Sequence, residues 1–145
     1  MALEDINIIV KENEGFSETI LWVNPNLTQD YSTGNVTPNE SINNFTYLKF
    51  IIVPYKSINV TTYGKPKEYI VSVDDFINNT NFDNDMALGF ILNYWDSSTS
   101  TNYKLFRGIS YNSSTQQIRI ISCRSTLDSS TWNSYIIPAA IIGMR

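Results

Sequence analysis

Tyr103-Lys104-Leu105-Phe106-Arg107-Gly108-Ile109-Ser110-Tyr111 alternates two sets of side chains with a period of two. Tyr103, Leu105, Arg107, Ile109 and Tyr111 share one face, and Lys104, Phe106, Gly108 and Ser110 the other. Successive side chains of an extended chain point to opposite sides, so this period predicts a strand and argues against a helix. Asn112-Ser113-Ser114-Thr115 follows, made of residues whose side chains compete for backbone hydrogen bonds and so favour turns. Ile118-Arg119-Ile120-Ile121-Ser122-Cys123 then resumes the strand pattern, and the two runs are expected to pair as an antiparallel hairpin.

The same pattern extends outward in both directions. Asp96-Ser97-Ser98-Thr99-Ser100 is a second short connector, and before it Met86 to Trp95 is nearly continuous apolar sequence. That run predicts a central strand buried on both faces, with Gly89 marking a bulge or a close backbone approach. Tyr47-Leu48-Lys49-Phe50-Ile51-Ile52-Val53 puts Leu48, Phe50 and Ile52 on one face and Lys49, Ile51 and Val53 on the other, ending at Pro54. Tyr69 to Val73 is another strand, followed by a turn or short helical cap at Asp74-Asp75-Phe76. Further strands are expected at Ile6 to Val10, Thr19 to Val23, Val36 to Ile42 and Tyr135 to Met144. Pro138 interrupts the last of these, which implies an edge or a switch between sheets. No segment carries a helical stripe over three turns, and no internal repeat or domain boundary is evident. The expectation is one all-β domain over residues 1–145, an antiparallel β-sandwich of jelly-roll-like form with eight or nine strands.

Composition agrees and narrows the function. Charged residues make up 17% of the 145 positions, below the roughly 25% of an ordinary soluble domain. Asn, Ser and Thr supply the missing polarity, at about a third of the chain, and with many aromatics they are poor helix material. The net charge is −4 with no basic stripe, which argues against binding nucleic acid through its phosphates. A single cysteine, Cys123, cannot make an intramolecular disulfide and reads as a small core residue in a strand. The acidic opening Met1-Ala2-Leu3-Glu4-Asp5 does not resemble a secretion signal. The apolar runs are too short to span a bilayer, which takes about 20 residues. Sequons at Asn26, Asn35, Asn39, Asn44, Asn59, Asn78 and Asn112 are what an Asn/Ser/Thr-rich chain produces by chance.

The chain contains no histidine, which removes the Ser-His-Asp and Cys-His nucleophilic systems and the usual zinc sites. Asn81-x-Asp83-x-Asp85 matches the start of a calcium loop. Met86 stands where the loop needs glycine, and Leu92 where it needs glutamate, so the match fails. Asp74, Asp75, Asp83, Asp85 and Asp96 could in principle supply a glycosidase pair, but no spacing selects two of them. No metal, cofactor or catalytic residue is therefore expected. The aromatics are more suggestive. Trp132, Trp95 and Trp22 fall at strand ends or in loops, where exposed rings can stack on sugar faces and Asn or Asp can bond sugar hydroxyls. These three are the candidate glycan contacts, against the alternative that they pack a core or a subunit interface.

Two patches carry a family resemblance. One is Ile20-Leu21-Trp22-Val23-Asn24-Pro25-Asn26 with Tyr47-Leu48-Lys49-Phe50 about twenty residues on, and the other is Ile136-Ile137-Pro138-Ala139-Ala140-Ile141-Ile142-Gly143-Met144-Arg145. Together they resemble domains that end bacteriophage and prophage tail proteins: tail-fibre, baseplate or receptor-binding proteins. Those often open on L-W-x-N-P-N-P-T and close on I-P-x-x-I-x-G. Here Leu27 replaces the second proline, with Thr28 following as usual. The patches cover under a fifth of the chain and contain no catalytic or sugar-contact motif. The resemblance implies a non-enzymatic β-sandwich component of the virion, made in the bacterial cytoplasm, commonly trimeric, in contact with other tail proteins and with host-surface polysaccharide. A carbohydrate-binding module or lectin-like domain of a bacterial protein is the alternative. Self-association is expected on physical grounds too. Phe50 to Val53 and Met86 to Leu92 are apolar on both faces, and a two-layer sandwich covers only one face of each sheet. A partner subunit or long loops over the outer faces would supply the cover, and the resemblance selects three copies.

Overall fold

The computed structural model describes residues 17–55, 65–80 and 88–145. The strand expected at Ile6 to Val10 and the residues Asn81, Asp83, Asp85 and Met86 lie outside these. Among the described residues nine strands form two sheets with every pairing antiparallel. The first sheet contains β1 (Glu18–Val23), β9 (Tyr135–Met144), β3 (Tyr47–Tyr55) and β4 (Lys67–Ser72), side by side in that order. The second runs β2 (Gly34–Val36), β7 (Gln117–Ile120), β6 (Thr101–Asn112) and β5 (Leu88–Asp96), with the short β8 (Arg124–Ser125) also on β6. The chain passes between the sheets after β1, β2, β4 and β8.

The period of two decides which residues meet between the sheets. Leu48, Phe50 and Ile52 of β3 face Phe90 of β5, Leu105, Ile109 and Tyr111 of β6, and Ile118 and Ile120 of β7 in one buried core. Phe50 packs its ring against Phe76 at 5.8 Å and Phe90 at 5.6 Å between centroids. The hairpin read from the sequence is present: Asn112 Oδ1 accepts from the Ser114 and Thr115 amides at 3.0 and 3.3 Å, and Tyr111 faces Ile118. The opposite faces of β3 and β9 form a second cluster, in which Ile51, Val53, Ile137, Ala139, Ala140 and Ile142 pack with Leu27. That face is buried within the chain. Lys49 lies on the same face and donates to Glu18 at 2.6 Å; both side chains are almost wholly buried.

Several expectations need correction. The run before Trp95 is not a central strand buried on both faces. Among the described residues β5 pairs with β6 alone, and Gly89, Ile91, Asn93 and Trp95 face outward. The Gly89 signal was a close approach, not a bulge: a Cβ there would come within 2.2 Å of the Phe106 ring. The strand expected over Val36 to Ile42 stops at Val36, and Ile42–Asn44 is a 3-10 turn capped by the Ser41 hydroxyl. The strand expected to end at Cys123 ends at Ile120. Of the two readings of Asp74-Asp75-Phe76, a turn or a short helical cap, the helical one is found: these residues belong to the short helix α1 (Val73–Asn79), capped by the Ser72 hydroxyl, which accepts from the Asp75 amide at 3.1 Å.

Pro138 sits in an interior strand of its sheet and makes no switch between sheets. Two features accommodate it. Ala139 is the extra residue of a bulge, because Ile51 pairs with Ala140 while Ile52 pairs with Pro138. On its other side β1 has already ended, and Asn24 takes over. The Asn24 amide donates to Ala139 O at 2.8 Å, its side-chain NH2 to Pro138 O at 2.8 Å, and its Oδ1 accepts from the Asn26 amide at 2.8 Å. The Asn-Pro-Asn turn and the proline of the last strand are thus one interlocked feature.

Candidate functional site

The aromatic residues gather at one end of the sandwich. β5 ends with Tyr94 turned inward and Trp95 outward, a direct consequence of the two-residue period. β3 ends at Pro54-Tyr55, and Tyr55 lies opposite Tyr135, the first residue of β9, with ring centroids 4.9 Å apart. Tyr94 meets Tyr135 at 5.1 Å and Trp132 at 5.7 Å. Trp132 also packs on Tyr103 at 4.7 Å and Tyr135 at 5.4 Å. Beside this cluster a groove of about 490 Å3 opens, lined by Pro54, Tyr55, Leu92, Tyr94, Trp95 and Tyr135, with Asn93 contributing an amide. Its size is that of a small-ligand site, and its mixture of rings with a few hydroxyl and amide groups suits a ligand with one apolar and one polar side.

The loop carrying Trp132 is held by its own polar residues. Asp128 Oδ1 accepts from the Ser130 amide at 3.0 Å and from its hydroxyl at 2.6 Å, and the Trp132 indole N–H donates to Ser130 Oγ at 2.8 Å. The Trp132 amide donates to Cys123 O at 2.7 Å. Behind the loop stands Arg107, which is fully buried. Its Nη1 donates to Tyr31 O at 2.9 Å and Ile121 O at 2.8 Å, and its Nη2 to Tyr135 O at 3.0 Å. Its Nε has no hydrogen-bond partner in the structure. Burial pushes the guanidinium down to about 10, partly offset by Cys123, Tyr31 and Asp30, so it remains charged at neutral pH. Arg107 therefore clamps the entry of β9. The next residue, Ile136, has φ of 51°, a left-handed conformation that a β-branched residue adopts only under constraint, at a cost of about 1–3 kcal/mol. The kink lets Tyr135 face the groove while Ile136 enters the core.

Burial keeps the Tyr135 phenol neutral, and hydrogen bonds keep Asp96 ionised. Burial first, then a hydrogen bond with the Tyr94 side chain, raises the Tyr135 phenol well above its ordinary value, with further contributions from Tyr94, Tyr55 and Asp96 charges. Hydrogen bonds from the Ser98 hydroxyl and amide hold the Asp96 carboxyl below its usual range. Burial pushes the Cys123 thiol up to about 11, so it is a poor nucleophile at neutral pH.

Of the three tryptophans expected to touch a ligand, Trp95 lines the groove and is 60% exposed. Trp132 is half-buried and supports the groove from within the ring cluster. Trp22 is elsewhere: its ring packs edge to face on Tyr31 at 6.4 Å, against the main core. Tyr55, Tyr94 and Tyr135 were not singled out from the sequence. Their only signal was position at strand ends, which other tyrosines share. Asp74 and Asp75 lie in the first turn of α1, and Asp96 closes its own turn. Among the described residues no group of three or more Cys, Asp or Glu side chains could hold a metal ion, and no helix is long and apolar enough to cross a membrane.

Compared with known proteins, the chain matches no protein-family model and no curated protein sequence.

Proposed function

We propose that this domain is a non-enzymatic structural component of a bacteriophage tail, of tail-fibre or baseplate type, that binds host-surface glycans. The observation that carries the binding part is the groove between Tyr55, Trp95 and Tyr135, where the exposed Trp95 ring adjoins half-buried phenols and the Asn93 amide. Aromatic faces stack on the C–H faces of pyranose rings while polar neighbours bond their hydroxyls. The virion part is supported by the two terminal patches, whose Asn24-Pro25-Asn26 turn and Pro138 are physically interlocked. Assembly as a trimer, together with other tail proteins, belongs to the same reading. The surfaces available for it include β5, an edge strand with Ile91 49% exposed, and Ile70 on β4, 56% exposed.

Binding is tested by titrating oligosaccharides against tryptophan fluorescence and against saturation-transfer NMR of the sugar protons. Trp95→Ala and Tyr55→Ala should each abolish binding while the far-UV spectrum is kept, and Trp22→Phe should not. Binding that survives both groove substitutions would refute the assignment. Light scattering at micromolar concentration tests assembly: a mass near 16.6 kDa refutes the oligomer, and three times that value supports the trimer. Antibody against the chain should decorate the tails of particles from its host and not their heads.

A further inference from the structure

The strain at Ile136 and the hydrogen bonds of Arg107 have one explanation. The carbonyl of Tyr135 and the amide nitrogen of Ile136 belong to one rigid peptide plane, so turning that plane changes ψ of Tyr135 and φ of Ile136 together. With φ at 51°, Ile136 lies in the left-handed region although it is β-branched and 2% exposed. Turning the plane through half a revolution would bring that φ to about −130°, ordinary backbone for an antiparallel strand. The strained orientation persists only if something holds the plane in it. Arg107 does so: Nη2 donates to Tyr135 O at 3.0 Å from a guanidinium with no solvent exposure. In the relaxed orientation that oxygen would point away, and Nη2 would keep only Asn133 O, at 3.5 Å. Leaving a buried charged donor short of its acceptor costs more than the same loss at a neutral one. The guanidinium cannot follow the oxygen, because Nη1 is bound to Tyr31 O at 2.9 Å and Ile121 O at 2.8 Å.

The other side of Tyr135 is fixed as well. Its amide donates to Trp132 O at 3.1 Å, and the Trp132 amide donates to Cys123 O at 2.7 Å. Both peptide planes that meet at the Tyr135 Cα are therefore held, and between them they set the direction of its Cα–Cβ bond. The ring follows that direction to lie against Tyr55 at 4.9 Å and Tyr94 at 5.1 Å, on the wall of the groove.

We infer that Arg107 is the positioning residue of the groove: its guanidinium holds the Tyr135–Ile136 peptide in the orientation that strains Ile136 and sets the Tyr135 ring as a groove wall. Arg107 acts through the backbone and touches no ligand. The consequence for sugars rests on the glycan-binding reading above; the positioning of Tyr135 does not.

The test exploits the freedom of glycine at positive φ, which alanine lacks. In the native background Ile136→Gly should be more stable than Ile136→Ala, by about threefold in the ratio of folded to unfolded chain. In an Arg107→Met background the plane relaxes, and the order should reverse to that of an ordinary strand, alanine ahead by about two- to fivefold. Trimethylamine N-oxide keeps weakened variants folded. Arg107→Lys, which keeps the charge but loses the fork, is the second background and should narrow the glycine advantage. The same glycine advantage in every background overturns the inference. Ring-proton NOEs from Tyr135 to Tyr55 and Tyr94 read the groove wall with no ligand present. They should be present in the native protein and in Lys49→Met, which is destabilised elsewhere, and weakened or lost in Arg107→Lys. NOEs unchanged in Arg107→Lys, or lost equally in Lys49→Met, overturn the positioning role. The sugar probes are cellobiose, maltose and chitobiose. Whichever of them binds in a Trp95-dependent way should bind Arg107→Lys about tenfold more weakly, and undiminished binding overturns the inference. Failure of all three to bind the native protein counts against the glycan reading, and the positioning of Tyr135 is then decided by the glycine–alanine order and the NOEs.

Discussion

Replacing Gly143 by alanine should destabilise the fold by about 1–3 kcal/mol, although the site is in a regular strand. In most strands the sign would be the opposite, since alanine loses less backbone entropy than glycine by roughly 0.5–1 kcal/mol. The difference comes from Phe45. A Cβ on Gly143 would lie 2.5, 2.6 and 2.7 Å from three atoms of that ring, where carbon atoms in contact sit about 3.5–4 Å apart. The ring would have to retreat by about 1 Å. It has little room, because the Arg145 guanidinium covers the ring at 4.4 Å and Phe45 is itself buried against the main core. Urea unfolding followed by tryptophan fluorescence measures the cost, and a domain of this size should lose roughly 2–4 °C of Tm per kcal/mol. A double-mutant cycle isolates the clash. In a Phe45→Ala background, itself costing about 3–5 kcal/mol, Gly143→Ala should become neutral or stabilising, a coupling of about 1–3 kcal/mol. The same cost in both backgrounds, or a stabilising Gly143→Ala in the native background, would refute the reasoning.

Arg107→Met should cost about 3–5 kcal/mol, because three backbone carbonyls lose a charged donor in a dry core. Arg107→Lys should recover less than half of this, since one ammonium cannot span carbonyls from separate segments; a loss under 1 kcal/mol for Met would show that the clamp is unimportant. Lys49→Met should cost a similar 3–5 kcal/mol by leaving Glu18 buried without its ammonium, and Lys49→Met with Glu18→Leu should restore most of it; a neutral single substitution would contradict that. At alkaline pH the raised phenols of Tyr31, Tyr111 and Tyr135 dominate. Their stabilising contribution is complete below pH of about 10, the unfolded value, and is lost as the pH rises through their folded values. Arg107 acts in the opposite sense, because a base with a lowered value sheds its burial penalty as it deprotonates above about 10. Stability measured from pH 8 to 12 should therefore fall above pH 10, less steeply in Tyr135→Phe; identical profiles would exclude Tyr135 as a contributor.

The sequence by itself determined the strands and their faces, because a period of two is local information. The core assignment of Leu48, Phe50 and Ile52, the inward set from Tyr103 to Tyr111, and the Asn112 hairpin turn are all written within a few residues. Composition alone leaves no histidine for catalysis or metal binding. Tertiary structure decided what depends on distant partners. An apolar run on both faces looks the same whether neighbours, loops or nothing cover it. So β3 and β5 read alike, yet β3 is interior with both faces buried, while among the described residues β5 is an edge with one face open. The inward face of β6 predicted where Arg107 points, but not that carbonyls of Tyr31, Ile121 and Tyr135 would receive it. The groove was illegible for the same reason. Tyr55, Trp95 and Tyr135 sit on three strands of two sheets, and only long-range pairing brings their rings together, whereas Trp22, equally plausible from its local sequence, is placed away from the groove, against Tyr31 and the edge of the core, by β1 pairing with β9.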